Sequence, residues 1–512
     1  QTVVDYWTDR LKELGHSDNI FTMGMRGKHD GRMIGVKNTH EYKDALNAVL
    51  QVQDSLLRQY IHPDSKKIPQ QFVPYKEVLD VYRAGLEVPD HITLVWPDDN
   101  YGYIRHFPDE KERKRTGGNG VYYHTSYWGE PHDFLWLGIV QPSLMYQQMK
   151  TAYDRNMRKI WVLNVGDIKP SEYLTEFFLD MAWDINLSGC KGGSGIVFSH
   201  LGNWLNQTFG KKTGKELLPL MKDFYLLSHI RKPEFMGNTR TYDKRHEQIA
   251  DLPWSTEEIN ERLERFKKLS DRVEKLYATV PSNRKEAYFE MIQYPVQASN
   301  EMNKKMLYAQ FARHTPSDSA SLWKKSDAAY DSIVSLTRRF NSLLDGKWNS
   351  IMSVGPRGLI VFDKVKHTAS SSDLKEYPAP LQSWNGTEYT SASGSYTVID
   401  GLGYAGKAIY LAKGGTVEYE FKNNRKDSLT VEVHLVPTHA VEGGKLRFSI
   451  STEGNEPQVF DCETAEYSEE WKVNILRAKG IKTARFPFTK NKGYIKITAL
   501  DEGVVVDQLK LR

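Results

Sequence analysis

Gly120–Trp128 reads GVYYHTSYW, and Trp96–Asn100 just upstream reads WPDDN. In both, apolar residues lead into a cluster of Tyr, His, Asp and Asn, and the pattern then breaks. A buried strand that ends in a polar surface reads this way. The same order of residues recurs in FTMGMRGKHD (Phe21–Asp30), QQFVPYKE (Gln70–Glu77) and IWVLNVGD (Ile160–Asp167). Helical patterns alternate with these strands over Thr2–Leu14, Glu41–Ile61, Val78–Leu86, Pro142–Asn156 and Ser171–Trp183. Such alternation predicts parallel β/α units. Two architectures place a working site at the carboxyl ends of parallel strands, a (β/α)8 barrel and an open doubly wound sheet. Five strands opening on a helix fit part of a barrel whose early strands lie outside this chain.

After Trp183 the strands stop. Ile196–Phe224 reads as irregular to helical. Ser255–Val280 is a clear amphipathic helix, with Ile259, Leu263, Phe266, Val273, Leu276 and Val280 on one face. Ser255 and Glu258 form a capping box at its start. Helical patterns continue over Arg284–Ala312 and Ser319–Leu344. From about Pro356 the texture changes to short β-rich runs such as GTVEYEF (Gly415–Phe421), LTVEVHLV (Leu429–Val436) and GYIKITAL (Gly493–Leu500) at sandwich spacing. The expected organisation is the C-terminal part of a (β/α)8 barrel over residues 1–200, a helix bundle over 201–352 and an accessory β-sandwich over 353–512.

Composition narrows the function classes. The chain has 512 residues and a net charge of +4, from 69 Lys and Arg against 65 Asp and Glu. So balanced a charge points away from nucleic acid or an anionic membrane as the main partner. No apolar run approaches the ~18 residues of a transmembrane helix, and no signal peptide opens the chain. The 12 Trp and 28 Tyr suit a surface that meets sugar rings. The two cysteines, Cys190 and Cys462, give neither a disulfide framework nor a zinc spacing, and both are expected as free thiols.

Several motif matches are discounted. GLGYAG (Gly401–Gly406) satisfies G-x-G-x-x-G, but KAIYLAKGG follows as a strand where a dinucleotide site needs a helix. It is read as a turn in the sandwich. KGGSG (Lys191–Gly195) and GKKTGK (Gly210–Lys215) do not complete a P-loop. Neither H-E-x-x-H nor G-x-S-x-G occurs, so no metal site or serine nucleophile is expected.

Pooling the strand ends gives Arg26 and Asp30; Tyr75 and Glu77; Asp98, Asp99 and Asn100; Tyr122, His124 and Tyr127; and Asn164 and Asp167. Two carboxylates across a sugar are the usual equipment of glycoside hydrolysis. An arginine among them can hold an acidic substrate group bidentately. The residues therefore indicate a hydrolase acting on an acidic or polar carbohydrate.

At these residues the chain resembles glycoside hydrolase family 115, the α-glucuronidases. The resemblance rests on GMRGKHDG (Gly24–Gly31), PYKEVLDVY (Pro74–Tyr82), WPDDNYGYIR (Trp96–Arg105), ERKRTGGNGVYYHTSYWGEPHDFLWL (Glu112–Leu137) and KIWVLNVGDIKPSEYLTEFFLDMAWD (Lys159–Asp184). It implies inverting removal of glucuronic acid, or its 4-O-methyl form, from glucuronoxylan or decorated arabinogalactan. It also implies no metal or organic cofactor, a homodimer, and a periplasmic or secreted location. Carried over by motif, Glu77 becomes the general acid and Asp30 the base. Arg26 binds the uronate carboxylate, and Tyr75, Asp98, Tyr122, His124, Tyr127 and Asn164 line the pocket. The basic run KERKR (Lys111–Arg115) becomes a loop next to the active site. Family members carry a long segment before this point, so a preceding segment or a second chain is expected to complete the barrel. The alternative is a carbohydrate-binding relic without catalysis.

Overall fold

The computed structural model describes residues 2–14, 17–28, 31–241, 249–370, 374, 377, 379–422 and 428–512. The chain divides into two compact units, residues 1–124 with 148–164, and residues 125–147 with 165–512.

The first unit is built on five strands, β1 (Phe21–Met23), β2 (Gln70–Phe72), β3 (Thr93–Pro97), β4 (Asn119–His124) and β5 (Met157–Asn164). They pair in sequential order, every pair parallel. All five carboxyl ends therefore lie along one edge of the sheet. The central strand β3 is buried at every position, whereas β1 alternates and β5 is largely half-buried or exposed. Continuous burial in the middle and polar positions at the margins follow from having neighbours on both sides or on one. Helix α1 (Thr2–Leu14) precedes β1, α2 (Thr39–Tyr60) separates β1 from β2, and α3 (Glu77–Arg83) separates β2 from β3. Asn38 caps α2 by accepting from Glu41 N at 2.9 Å.

The KERKR run forms the short helix α4 (Glu110–Arg113) and the turn after it, before β4 begins. Arg115 donates to the carbonyls of Val88, Pro89 and Ile92, and Asn119 Nδ2 donates to Glu112 O. These contacts tie the run to the amino ends of β3 and β4. The expectation that it adjoins the site at the carboxyl ends is therefore corrected: Arg115 satisfies backbone carbonyls where β3 enters the sheet.

The second unit contains the helical region and the C-terminal sheets. Helix α5 (Pro142–Asp154), which is divided between the two units, precedes β5 in sequence, and α6 (Glu172–Trp183) follows it in the second unit. The stretch expected to be partly irregular is instead two helices, α7 (Ile196–Phe209) and α8 (Lys211–Ile230), with Pro219 inside α8. Gly214 lets the two press together, since a Cβ there would lie 2.5 Å from Asn206 Oδ1 and 2.7 Å from its backbone nitrogen. Helix α9 (Thr256–Tyr277) opens with the expected Ser255–Glu258 capping box. Its buried stripe carries Arg262 rather than Leu263, because the Arg262 guanidinium reaches Asn303 Oδ1 and the carbonyls of Leu227 and Arg231. Helices α10 (Lys285–Tyr288), α11 (Tyr294–His314) and α12 (Ser319–Asn341) follow, with a π turn at Phe289–Gln293 interrupting the expected continuous helix.

The C-terminal strands are β6 (Gln382–Asn385), β7 (Ser391–Ser393), β8 (Tyr396–Asp400), β9 (Lys407–Leu411), β10 (Thr416–Lys422), β11 (Ser428–Leu435), β12 (Arg447–Thr452), β13 (Gln458–Asp461), β14 (Gly480–Pro487), β15 (Lys492–Ala499) and β16 (Val504–Leu511). One sheet runs β13-β12-β15-β10-β7 and the other β14-β11-β16-β9-β8, with β6 also on β16. Their pairings are antiparallel. Alternate residues of both sheets, among them Tyr419, Phe448 and Ile497 from one and Val431, Val506 and Leu509 from the other, share one core. GLGYAG is the turn of the β8–β9 hairpin, where Gly401, Gly403 and Gly406 all take positive φ. No helix of the described residues is long and apolar enough to cross a membrane, and Cys190 and Cys462 are free thiols.

Candidate active site

The site is assembled at the carboxyl edge of the parallel sheet. Strand β1 is followed by Gly24, whose φ of +93° and close approach to the Phe72 ring leave no room for a side chain. Gln53 of α2 holds both backbone groups of Gly24, at 2.8 and 3.2 Å. That anchor sets the course of the chain to Arg26. After β2, Lys76 sits at φ +52° and Glu77 opens α3. A non-glycine residue at positive φ stores strain, which folds tolerate where a side chain must be aimed.

Arg26 and Glu77 meet as a bidentate pair, Nε to Oε1 at 3.1 Å and Nη2 to Oε2 at 2.8 Å. Tyr42 from α2 donates to Glu77 Oε1 at 3.2 Å. Burial pushes the Tyr42 phenol up, and the nearby Glu77 carboxylate adds to the shift. The Arg26 guanidinium also lies 5.0 Å from the centre of the Tyr75 ring. Both partners are partly open, with 16% and 24% of their side chains exposed. A planar guanidinium that already holds a carboxylate in fork geometry is equipped to hold another one.

Tyr75 links this pair to the WPDDN loop, its hydroxyl donating to Asn100 Oδ1 at 2.7 Å. Asn100 is buried at φ +70°, and its Nδ2 has no hydrogen-bond partner among the described residues. The loop is held from inside. Asp98 accepts from Asn100 N and Gly102 N at 3.0 Å and from His124 N at 3.1 Å, and His124 Nδ1 donates to it at 2.5 Å. Asp99 accepts from Tyr101 N and Tyr103 N. Burial pushes the Asp98 carboxyl up, opposed by His124. The His124 ring packs at 5.0 Å from Tyr122 and 6.1 Å from Tyr75. Asn164, at the end of β5, donates to the Tyr122 hydroxyl at 3.2 Å.

Arg26, Glu77, Tyr75, Asp98, His124, Tyr122 and Asn164 are thus joined through rings and hydrogen bonds within the first unit. Three expectations need comment. Asp98 is not a pocket wall; it is 2% exposed and both its oxygens are used, so it holds the loop and His124 in place. Asp30 lies outside the described residues. Tyr127 belongs to the second unit, where it is buried and bridges Phe134 backbone to backbone at 3.0–3.1 Å. Asn100 is one of the strand-end residues, and its place directly after the two aspartates of WPDDN is the sequence signal that marks it. Tyr42 carried no such signal, since it reads as an ordinary core residue of α2. Asp167, another strand-end carboxylate, is exposed. Among the described residues no group of three or more His, Cys, Asp or Glu could hold a metal ion.

A family model described as glycosyl hydrolase family 115 matches residues 1–235. A second, described as the C-terminal domain of that family, matches residues 382–512. Among solved structures, a family 115 4-O-methyl-α-glucuronidase with specificity for decorated arabinogalactans superposes with a TM-score of 0.95 at 48% identity. That alignment covers 100% of this chain and 66% of the other, so the chain spans just under two thirds of that protein's length. An exo-β-1,3-galactanase from Phanerochaete chrysosporium aligns at 15% identity and a TM-score of 0.21, covering 26% of this chain and 30% of that one. The C-terminal CBM6 of LamC from Zobellia galactanivorans aligns at 11% identity and 0.20, covering 25% and 97%. These two superpositions are too loose to bear on the fold. No curated protein matches.

Proposed function

The chain belongs to glycosyl hydrolase family 115, and from that premise we propose that it forms most of an inverting α-glucuronidase. The enzyme removes glucuronic acid, or its 4-O-methyl form, from the side chains of an acidic plant polysaccharide. The 48% identical relative is described as specific for decorated arabinogalactans, which favours that substrate over glucuronoxylan here. The observation that carries the reading is the Arg26–Glu77 pair: a half-buried guanidinium beside Tyr75, displaying a bidentate fork at the carboxyl edge of the sheet.

In this reading the sugar carboxylate docks on Arg26 and takes over donors that Glu77 uses in the free protein. Glu77 then carries the proton that the glycosidic oxygen needs to depart. Asp30 accepts a proton from a water that attacks the anomeric carbon from the opposite face. The bond to the leaving oxygen breaks as the bond to water forms, and configuration inverts. Glu77 ends ionised and Asp30 protonated, and exchange with solvent resets both. Tyr75, Tyr122 and Asn164 wall the sugar and pair with its hydroxyl groups, with His124 packed against both tyrosine rings. Each buried donor or acceptor left without such a partner would cost about 1–3 kcal/mol, so the network selects a hydroxyl-rich ring.

The strand order supports a barrel. A doubly wound sheet reverses direction at a switch point, whereas five parallel strands added in sequence, always on the same side, follow the course of a (β/α)8 wall. Further strands, from a preceding segment or a second chain, would close it. The working assembly is a homodimer in the periplasm or outside the cell, where such polysaccharides are met.

Arg26→Ala tests substrate recognition. Losing charge-assisted bonds to the uronate should cost about 2–3 kcal/mol, roughly a 30- to 150-fold drop in kcat/KM. The loss should fall on glucuronosyl substrates and be much smaller on the corresponding glucoside. Equal losses on both would assign Arg26 to positioning Glu77 alone.

A further inference from the structure

Within the second unit, a cavity of about 320 Å³ lies between helices α8 and α9 and the sheet containing β11, β14 and β16. It shares no residue with the strand-end site. Its lining holds seven Arg and Lys side chains against three Glu. Some of these charges are neutralised locally. Arg512 pairs with Glu432 at 2.8 Å, and Arg265 pairs with Asp223. The others are not. Arg231 and Arg262, each 5% exposed, bond to backbone carbonyls and to Asn side chains and make no ion pair among the described residues. Arg477 likewise bonds to Lys479 O and Asn474 Oδ1. Lys479 and Lys510 have no ion pair or hydrogen bond from their ammonium groups among the described residues, although the Asp507 carboxylate acts on both and Glu258 on Lys479, and the Lys479 ammonium lies 6.0 Å from the centre of the Tyr404 ring. Burial holds Lys479 down, and Lys510 adds to the shift.

Buried cations that outnumber the carboxylates around them are expensive unless an anion joins them. A second observation points to a ligand. His434 of β11 lines the same cavity, its side chain is 3% exposed, and its Nδ1 has no hydrogen-bond partner among the described residues. Burial, followed by Lys479, Lys510 and Arg477, pushes His434 far down, against a hydrogen bond with Gln508. The lining also says which kind of anion fits. Glu258 and Glu261 can accept from the several hydroxyl groups of a sugar acid, which phosphate does not offer. Trp254 and Tyr404 add aromatic faces for a ring. The volume falls at the lower end of the range for small-molecule sites.

We propose that this cavity is a second binding site, for a monoanionic hydroxylated acid of the size of one uronic acid. The carboxylate sits at Lys479 and Lys510, and the hydroxyl groups face His434, Glu258 and Glu261.

The test is calorimetric titration with sodium glucuronate, glucose and inorganic phosphate, on protein carrying Arg26→Ala so that the strand-end site does not contribute. Glucuronate is expected to bind at one site at least tenfold more tightly than either of the others. Lys479→Gln with Lys510→Gln should weaken it tenfold or more. With Arg26 intact, the same two changes should leave glucuronidase activity unchanged. Glucose binding as well as glucuronate, phosphate binding in its place, or unaltered glucuronate affinity in the double variant would each overturn the proposal. Should the double variant unfold, the comparison of the three ligands on the Arg26→Ala protein decides alone. Failure here leaves the reading of the strand-end site untouched, because that site is tested by turnover.

Discussion

Glu77→Gln is expected to lower turnover of a glucuronosyl oligosaccharide by about 10³-fold, within the range of general acid catalysis. The side chain keeps its shape, and its position at the start of α3 is set by the Lys76 turn, so the loss reports chemistry rather than folding. The amide also gives up one of the two Arg26 contacts, because its nitrogen cannot accept. The leaving group separates the two carboxylates. A sugar hydroxyl departs only with a proton, whereas 4-nitrophenolate departs without one. Glu77→Gln should therefore recover a large part of its loss on the 4-nitrophenyl glycoside of glucuronic acid. Asp30→Asn should stay impaired on both substrates, since water must still be activated. Measuring kcat for both variants on both substrates checks the assignment. Near-normal turnover of the oligosaccharide by Glu77→Gln would remove it from the pair, and the reverse pattern would exchange the roles.

Asp98→Ala is expected to cost about 3–5 kcal/mol of stability in the first unit, the range for removing one partner of a buried charged pair. The carboxylate takes four hydrogen bonds, three from backbone amides and one from the His124 ring. Alanine would remove the acceptor of all four. The turn that holds Asn100 at positive φ would lose its anchor, and with it the partner of the Tyr75 hydroxyl. Activity should fall alongside stability. Hydrogen exchange over 93–124 locates the effect, with protection lost there and kept in the C-terminal sheets. Unchanged protection would mean that the Asp98 contacts contribute little.

The role of Asp98 also marks how far a sequence can be read. The alternation of strands and helices, the polar strand ends, the capping box at Ser255 and the turn nature of GLGYAG were all legible, because each is a local pattern. Whether a strand-end aspartate faces a ligand or folds back on its own loop was not, since both give the same letters. The Arg26–Glu77 pair joins residues 51 apart in sequence, and nothing local announces it. Helices α7 and α8 were obscured by Gly202, Gly210, Gly214 and Pro219, residues that break isolated helices. Here Gly214 serves the packing of one helix on the other. Arg262 displaced Leu263 from the buried stripe of α9 because carbonyls and an asparagine from other elements receive it. KERKR was misplaced because its contacts with the amino ends of β3 and β4 depend on the fold. The short, half-buried strands β6, β7, β8 and β13 lacked the length that makes alternation visible.

The central claim is that the strand-end carboxylates and Arg26 form the site of an inverting α-glucuronidase. Proton NMR of the first product formed from a glucuronosylated arabinogalactan oligosaccharide tests it most directly, using the protein with all that its gene encodes. The account predicts β-glucuronic acid as the initial anomer, with α appearing later by mutarotation. Initial release of the α anomer, or release of a neutral sugar in place of glucuronic acid, would contradict it.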